Sequence, residues 1–554
     1  MPLLGAFSLQ AGVFAVKCAE GKDVTHELAA ALAGAKDGGE LFLPRGRYFI
    51  KGVLALQDVK NFTLRGEEGT VIVTSFSPTG YLNSCNAAMK IRRVENLLVE
   101  KIAFACDNPT GSAGRIAGLD PQNGTFDVEI DEGFPVDGTE CVASLDLCNG
   151  AGMPLRRLSL TGRLDQKRDE KGKVHLNVQG VPYEKVSSRT LRFKAPGGKK
   201  YDFGQVRFGD RVAIRHSLWG GGLLTFTDAE DVALKDVTVE RCMAMAVVIE
   251  ARCRNFAFER FRIAPGKGSN AIFSSNADGI HALGLGGKLV LKDCFFEGLG
   301  DDALNVHSRA GIVKEVGRSG LQAKCISKSY DGAELALGEK WARKGDVLDV
   351  YDPRNFLRKG KLRLESYSKG ECVFAPGGVE PEAGDVVANS AFAPSVEISG
   401  CTCRVMRARG FLLQTGNVEV RNCVFSDIAL QALLFAPDVE RWYEMSPSEN
   451  VIVNACRFER CAAVDASGSL AAIDFRTSHG GRNRVCPPGV HSGIAIVGND
   501  FSGCEGTAVA IASASGVELK DNRFSRCPVF SCDPEKPHDS RAVRLVQCQL
   551  KEQK

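Results

Sequence analysis

Two aspartates, Asp301 and Asp302, stand side by side in GLGDDALNVHS, residues 298–308, and a third, Asp278, stands in SSNADGIHALG, residues 274–284. Asp278 precedes Gly-Ile-His-Ala and Asp302 precedes Ala-Leu-Asn-Val, so the two segments share a pattern offset by 24 residues. Carboxylates brought this close cannot all ionise freely, and such a group titrates as a coupled set with one proton held more tightly. That combination of one acid and one base is what glycoside hydrolysis requires. Clustered aspartate oxygens also suit a hard cation such as calcium, and single aspartates are common in turns. His281, Asn305 and His307 lie on the same two segments and can orient the carboxylates or grip sugar hydroxyls.

Stacked strands are the elements that would align such residues. The segments VALKDVTVERC (232–242), LVLKDCFFEGL (289–299), VEVRNCVFSDI (418–428), VIVNACRFERC (451–461), IAIVGNDFSGC (494–504) and VELKDNRFSRC (517–527) share an alternating apolar start, then Asp or Asn, then a small residue and a spaced Phe or Val. Uninterrupted, the step is 22 residues from Val396 to Val418 and 23 from Ile494 to Val517. A period near 22 with short strands is the pattern of a right-handed parallel β-helix, in which no coil buries its apolar row alone. Equivalent residues then stack at about 4.8 Å. Asp278 and Asp302 should therefore come within about 5–6 Å on one face, while strand alternation should turn Asp301 elsewhere unless the preceding turn brings it back.

The 20 cysteines fit this reading: Cys294, Cys423 and Cys456 form one column, Cys242, Cys461, Cys504 and Cys527 another, as an interior ladder of free thiols. No CxxC zinc spacing occurs. Residues 23–39 read as the clearest helix, capped by Asp23 and stopped at Gly38–Gly39, and would close the open end of the solenoid. The expected fold is all-β, a right-handed parallel β-helix with two inserted β-barrel-like domains. The expected organisation is a capping helix and first coils over 1–106, an inserted barrel over 107–214, coils with the site over 215–308, a second barrel over 309–394, and final coils over 395–554.

At 44% hydrophobic and 25% charged residues, with a net charge of +3, the composition is ordinary for a globular chain and gives no pull towards nucleic acid. No apolar stretch approaches the roughly 18–20 residues of a membrane span, and the N-terminus lacks the basic region and cleavage site of a secretion signal. No cofactor or metal is called for, and oligomerisation is left open.

The stretch GGELFLPRGRYFI (38–50) resembles the opening turn of pectin-lyase-like β-helices. Within that group, NADGIH with GDDALNVH resembles the paired acidic motifs of glycoside hydrolase family 110, β-helix α-galactosidases acting on terminal α-1,3-linked galactose. The segment DDALNVH follows that family's Asp-Asp-x-x-Asn-Val-His pattern, whereas its usual Asp-Ala-x-His is here DGIH, with Gly279 in place of Ala. The resemblance implies an exo-acting, inverting hydrolase in which Asp301 is the general acid and Asp278 and Asp302 activate water, with acid and base about 6.5–9.5 Å apart. It also implies a glycan partner ending in α-galactose and a secreted or periplasmic setting.

Further candidates for substrate contact are Glu250, which stands five residues after Met245 as His307 stands five after Asp302, together with Trp219, Gln414 and Trp442. A polygalacturonase-like hydrolase or lyase on acidic polysaccharide is the competing enzyme reading. It is disfavoured because no Arg or Lys lies in 274–287 or 298–308. A non-catalytic glycan-binding β-helix is the third reading.

Overall fold

The computed structural model describes residues 13–15, 21–75, 87–107, 110–136, 142–148, 154–161, 163–168, 174–195, 203–204, 206–218, 221–328, 332–463, 470–479, 482–527 and 542–551. They are almost wholly β, with one α-helix, Thr25–Ala33, among the described residues. The chain forms two compact units. The first comprises Met1–Val248, Arg254–Gly279 and Lys292–Gly300, the second Ile249–Cys253, Ile280–Leu291 and Asp301–Lys554.

In the first unit parallel strands stack in register. One row runs Leu41, Leu64, Val99, Leu234, Phe258, and a second sheet supplies Tyr48, Ile72, Phe104, Val239, Ile263, Phe296. Every one of these side chains is buried, so each strand's alternate residues make a continuous apolar seam. The helix is shorter than the sequence pattern suggests. It ends at Ala33, and Gly34 donates its N–H to Ala30 O. Asp23 accepts the Thr25 N–H at 3.0 Å but lies one residue outside the cap position, which is Val24. Leu28 and Leu32 are its buried face.

Between Gly111 and Arg215 the first unit carries a seven-stranded antiparallel sheet around Ile116, Phe126, Val128, Leu145, Phe193 and Ile214. The second unit holds a comparable sheet between Gly311 and Asn389 around Val313, Trp341, Leu348, Val350, Leu362 and Phe374. In that sheet Gly311–Val316 also pairs with Gln322–Lys328, closing it into a ring. Both sheets fall where the 22-residue pattern lapses.

Apart from Glu444–Met445 against Ser308–Arg309 and the hairpin of Thr477–His479 with Arg482–Arg484, most of the remainder of the second unit is parallel. Its rows are Leu304, Phe411, Leu433, Ile473, Val509, Val543, then Val396, Val418, Val451, Ile494, Val517, and Cys403, Phe425, Phe458, Phe501, Phe524. The same register aligns Cys461, Cys504 and Cys527, and the Cys423 N–H donates to Cys456 Sγ at 3.5 Å. Cys242 and Cys294 belong to the first unit, where their thiols donate to Met245 O and Phe258 O. Sixteen cysteines among the described residues are free and fourteen of these are buried, consistent with thiols used as small apolar groups.

Candidate active site

The strands Ile280–Lys292 and Leu304–Arg309 pair in parallel, with Ile280 opposite Leu304 and His281 opposite Asn305. Asp278 and Asp302 each lie two residues ahead of that paired start, so the register carries the one alongside the other. Carboxylate oxygens of Asp278, Asp301 and Asp302 all lie within 4.8 Å of one another. Asp278 and Asp302 are buried and Asp301 is half-buried. The preceding bend turns Asp301 back, which is the exception to strand alternation that the convergence of three carboxylates required. Asp301 sits in a bend ahead of the strand, where alternation does not yet apply. The nearest oxygens are also closer than the 6.5–9.5 Å expected of a separated acid and base.

The next strand in the stack, Phe411–Leu413, brings a residue that sequence reading missed. The pairing of Leu304 with Phe411 puts Arg409 in register with Asp302. Arg409 Nη1 donates to both Asp302 oxygens at 3.1 Å, and its backbone N–H donates to Oδ1 at 3.3 Å. Burial works against the charge of Arg409, but Asp302 and then Asp301 outweigh it and its pKa is raised. A guanidinium bonded to both carboxyl oxygens favours the charged form of that carboxyl. This corrects the argument that the acidic motifs lack a basic neighbour. Aligning MRARGFLLQTG (406–416) with LGDDALNVHSR (299–309) pairs Arg409 with Asp302 and Gln414 with His307, but the inserted sheet hides the step.

His307, Gln414 and Glu444 form a second polar group. His307 Nε2 lies 3.2 Å from His281 Nε2 and 3.5 Å from Glu444 Oε1, and Gln414 Nε2 donates to Glu444 Oε2 at 3.1 Å. Burial, then His281 and Arg309, hold the His307 pKa well below the ordinary value, so the ring is neutral. The strand Glu444–Met445 reaches this place by pairing antiparallel with Ser308 and Arg309. Gln414 Oε1 and Asn305 Oδ1 are buried acceptors that find no hydrogen-bond donor. Unsatisfied buried acceptors are costly, and hydroxyl donors of a ligand would satisfy them.

Glu250 is half-buried in Met245–Glu259. Backbone bonds from Ala246 N to Asp278 O and Val247 N to Gly279 O set Met245 opposite Asp278, so Glu250 falls in the row of Leu283, His307 and Gln414. Trp442 is 40% exposed two residues before Glu444, with the Arg441 guanidinium 5.5 Å from its ring. Trp219 lies outside the described residues. The three carboxylates have the grouping that could hold a metal ion, and Arg409 brings a positive charge beside them through its bonds to both oxygens of Asp302.

No family model matches the sequence. The chain is 30% identical over 303 residues to alpha-1,3-galactosidase A of Akkermansia muciniphila, a match covering 54% of this chain and 48% of that protein. It is 22% identical over 533 residues to alpha-1,3-galactosidase A of Shewanella woodyi, covering 92% of this chain and 84% of the relative. The chain thus spans about half the length of the first of these and most of the second. Among solved structures, the family 28 exopolygalacturonase of Yersinia enterocolitica aligns with 98% of this chain and 79% of its own, at 12% identity and a TM-score of 0.43. Over most of its length, then, the chain resembles curated proteins named alpha-1,3-galactosidases, the same resemblance that its acidic motifs carry.

Proposed function

We propose that the protein is an exo-acting inverting glycoside hydrolase that releases terminal α-linked galactose, α-1,3-linked by preference, from glycans. The observation that carries this reading is the group of three carboxylates within 4.8 Å, with Asp302 held by Arg409. Sequence similarity to the named alpha-1,3-galactosidases supports the sugar and linkage. In the proposed reaction Asp301 protonates the glycosidic oxygen as its bond to the anomeric carbon breaks. Asp278 and Asp302 take a proton from the water that attacks the same carbon. Arg409 suits Asp302 to the basic role. His281, Asn305, His307, Glu250 and Gln414 bind sugar hydroxyls, with Trp219 and Trp442 offering apolar faces. The fold that carries this site is proposed as one right-handed parallel β-helix with inserted barrels over 107–214 and 309–394.

One observation favours a second stereochemistry. Oxygens within 4.8 Å are nearer the spacing of about 5–5.5 Å typical of retaining enzymes than that of inverting ones. In that case Asp278 or Asp302 attacks the anomeric carbon directly. Proton NMR of an α-1,3-linked galactobiose incubated with the protein separates the readings. The inverting reaction gives β-galactose first, lost in Asp301→Asn, whereas early α-galactose establishes retention. Cleavage of polygalacturonate with no release of galactose would keep the three-carboxylate site and discard the substrate. Silence on every glycan favours a binding role.

A further inference from the structure

The strand Arg211–Arg215 ends the first inserted sheet, and its last residue is 2% exposed. Arg215 Nε donates to Ser144 Oγ at 2.8 Å, on the adjacent antiparallel strand. Nη1 donates to two backbone carbonyls, Asn276 O at 2.7 Å and Gly300 O at 3.1 Å. The guanidinium lies 5.8 Å from the centre of the Phe273 ring. Asn276 is two residues before Asp278, and Gly300 is the residue before Asp301. A single buried nitrogen thus ties together the two turns that lead to the acids. Asn276 extends the link, since its Nδ2 donates to Thr110 O at 2.6 Å and to Ser217 Oγ at 2.9 Å, residues flanking the same sheet.

The place has no slack. A Cβ added to Gly300 would stand 2.4 Å from Asn276 O and 2.9 Å from Arg215 Cδ. A charged donor bound to two buried carbonyls is a strong constraint, and removing it strands both acceptors.

We propose that Arg215 is a positioning residue for the acidic site, through which the first inserted sheet holds together the two turns, at Asn276 and at Gly300, that lead to Asp278 and to Asp301. The proposal rests on the glycosidase reading above. Acid and base act on one sugar only when both are in place, and a misplacement of 1 Å costs on the order of 100-fold in rate. Their separation also sets how strongly they couple in titration.

The test is hydrolysis of α-1,3-galactobiose by the full chain across pH. Arg215→Lys keeps the charge but offers no planar fork to span Ser144 and both carbonyls. Its kcat is expected to fall about 10- to 100-fold with KM within about twofold, and the two limbs of the kcat/KM pH profile to draw together as the turns relax apart. Ser144→Ala removes the Nε partner and leaves both carbonyl bonds, so kcat and both limbs should stay at wild-type values. Gly300→Ala leaves Arg215 in the chain and wedges the same two turns. It should reproduce the kcat loss, and it carries the test if Arg215→Lys does not fold. Wild-type kcat and limbs in Arg215→Lys or, should that variant not fold, in Gly300→Ala would overturn the proposal, as would an equal kcat loss in Ser144→Ala. A wild-type protein silent on this substrate overturns the glycosidase reading and this inference together, whereas an active wild type with an unchanged Arg215→Lys overturns this inference alone.

Discussion

Two rows of the second unit obey one stacking rule and come to opposite ends. Phe425, Phe458, Phe501 and Phe524 repeat one residue type, their ring centres 5.1, 4.7 and 5.2 Å apart and their planes within 15° of parallel. In the other row Asp302 is followed by Arg409, and in a neighbouring row of the same strands His307 is followed by Gln414. In-register parallel strands set like beside like at a fixed spacing. Repetition benefits apolar rings, which bury each other, and penalises like charges. At this step the polar row changes residue type, from Asp302 to Arg409. A stack that departs from its own cheapest solution, and gathers buried carboxylates in doing so, is the place to look for chemistry.

The contrast can be broken first at the acids. Asp301→Asn should cut galactobiose hydrolysis on the order of 1,000-fold, and thermal unfolding should show a midpoint no lower than wild type, because a like charge has been removed. In the aromatic row the outcome should reverse. Phe458→Ala is expected to cost about 3–5 kcal/mol in denaturant unfolding, with kcat per folded molecule retained. Arg409→Leu joins the two behaviours, since it leaves Asp302 buried without its partner, at a cost of about 3–5 kcal/mol. Adding Asp302→Leu should recover most of that stability and none of the activity.

A smaller effect comes from His491, fully buried, with a pKa pushed down to about 4 by burial against the opposing bond to Arg476 O. The unfolded chain binds this proton more readily than the folded one between the ordinary histidine value and about 4. Stability from this group is thus complete above the ordinary value and is lost as pH falls through that window, by about 3 kcal/mol. His491→Phe should flatten the slope of unfolding free energy over that range in urea titrations at stepped pH.

The repeat was legible because stacking makes equivalent residues recur, and the uninterrupted step from Val396 to Val418 appears as a register pair. Asp278 and Asp302 were legible for the same reason, being one coil apart with no insertion between them. Arg409 and Glu444 were not. Arg409 is 107 residues from Asp302, with an entire inserted sheet between them, and Glu444 arrives by an antiparallel pairing that follows no period. Asp301 was legible only through the turn before it, because alternation describes strands and this residue stands in a bend. The cysteine columns were legible in the second unit, where Cys461, Cys504 and Cys527 align and Cys423 meets Cys456. The end of the helix was not, because Gly34 stops it before the more conspicuous Gly38–Gly39 pair.

The 107-residue gap between Asp302 and Arg409 also orders events in time. The ring from Gly311 to Asn389 is built from contacts within that span, around Trp341. It can form before the flanking strands meet, and once formed it shortens the chain that must close to join Asp302 to Arg409. Refolding from denaturant should accordingly be biphasic. In a variant with Trp219→Phe and Trp442→Phe, fluorescence of Trp341 should reach its native value before hydrolytic activity returns, whereas simultaneous recovery would mean that ring and site assemble in one step.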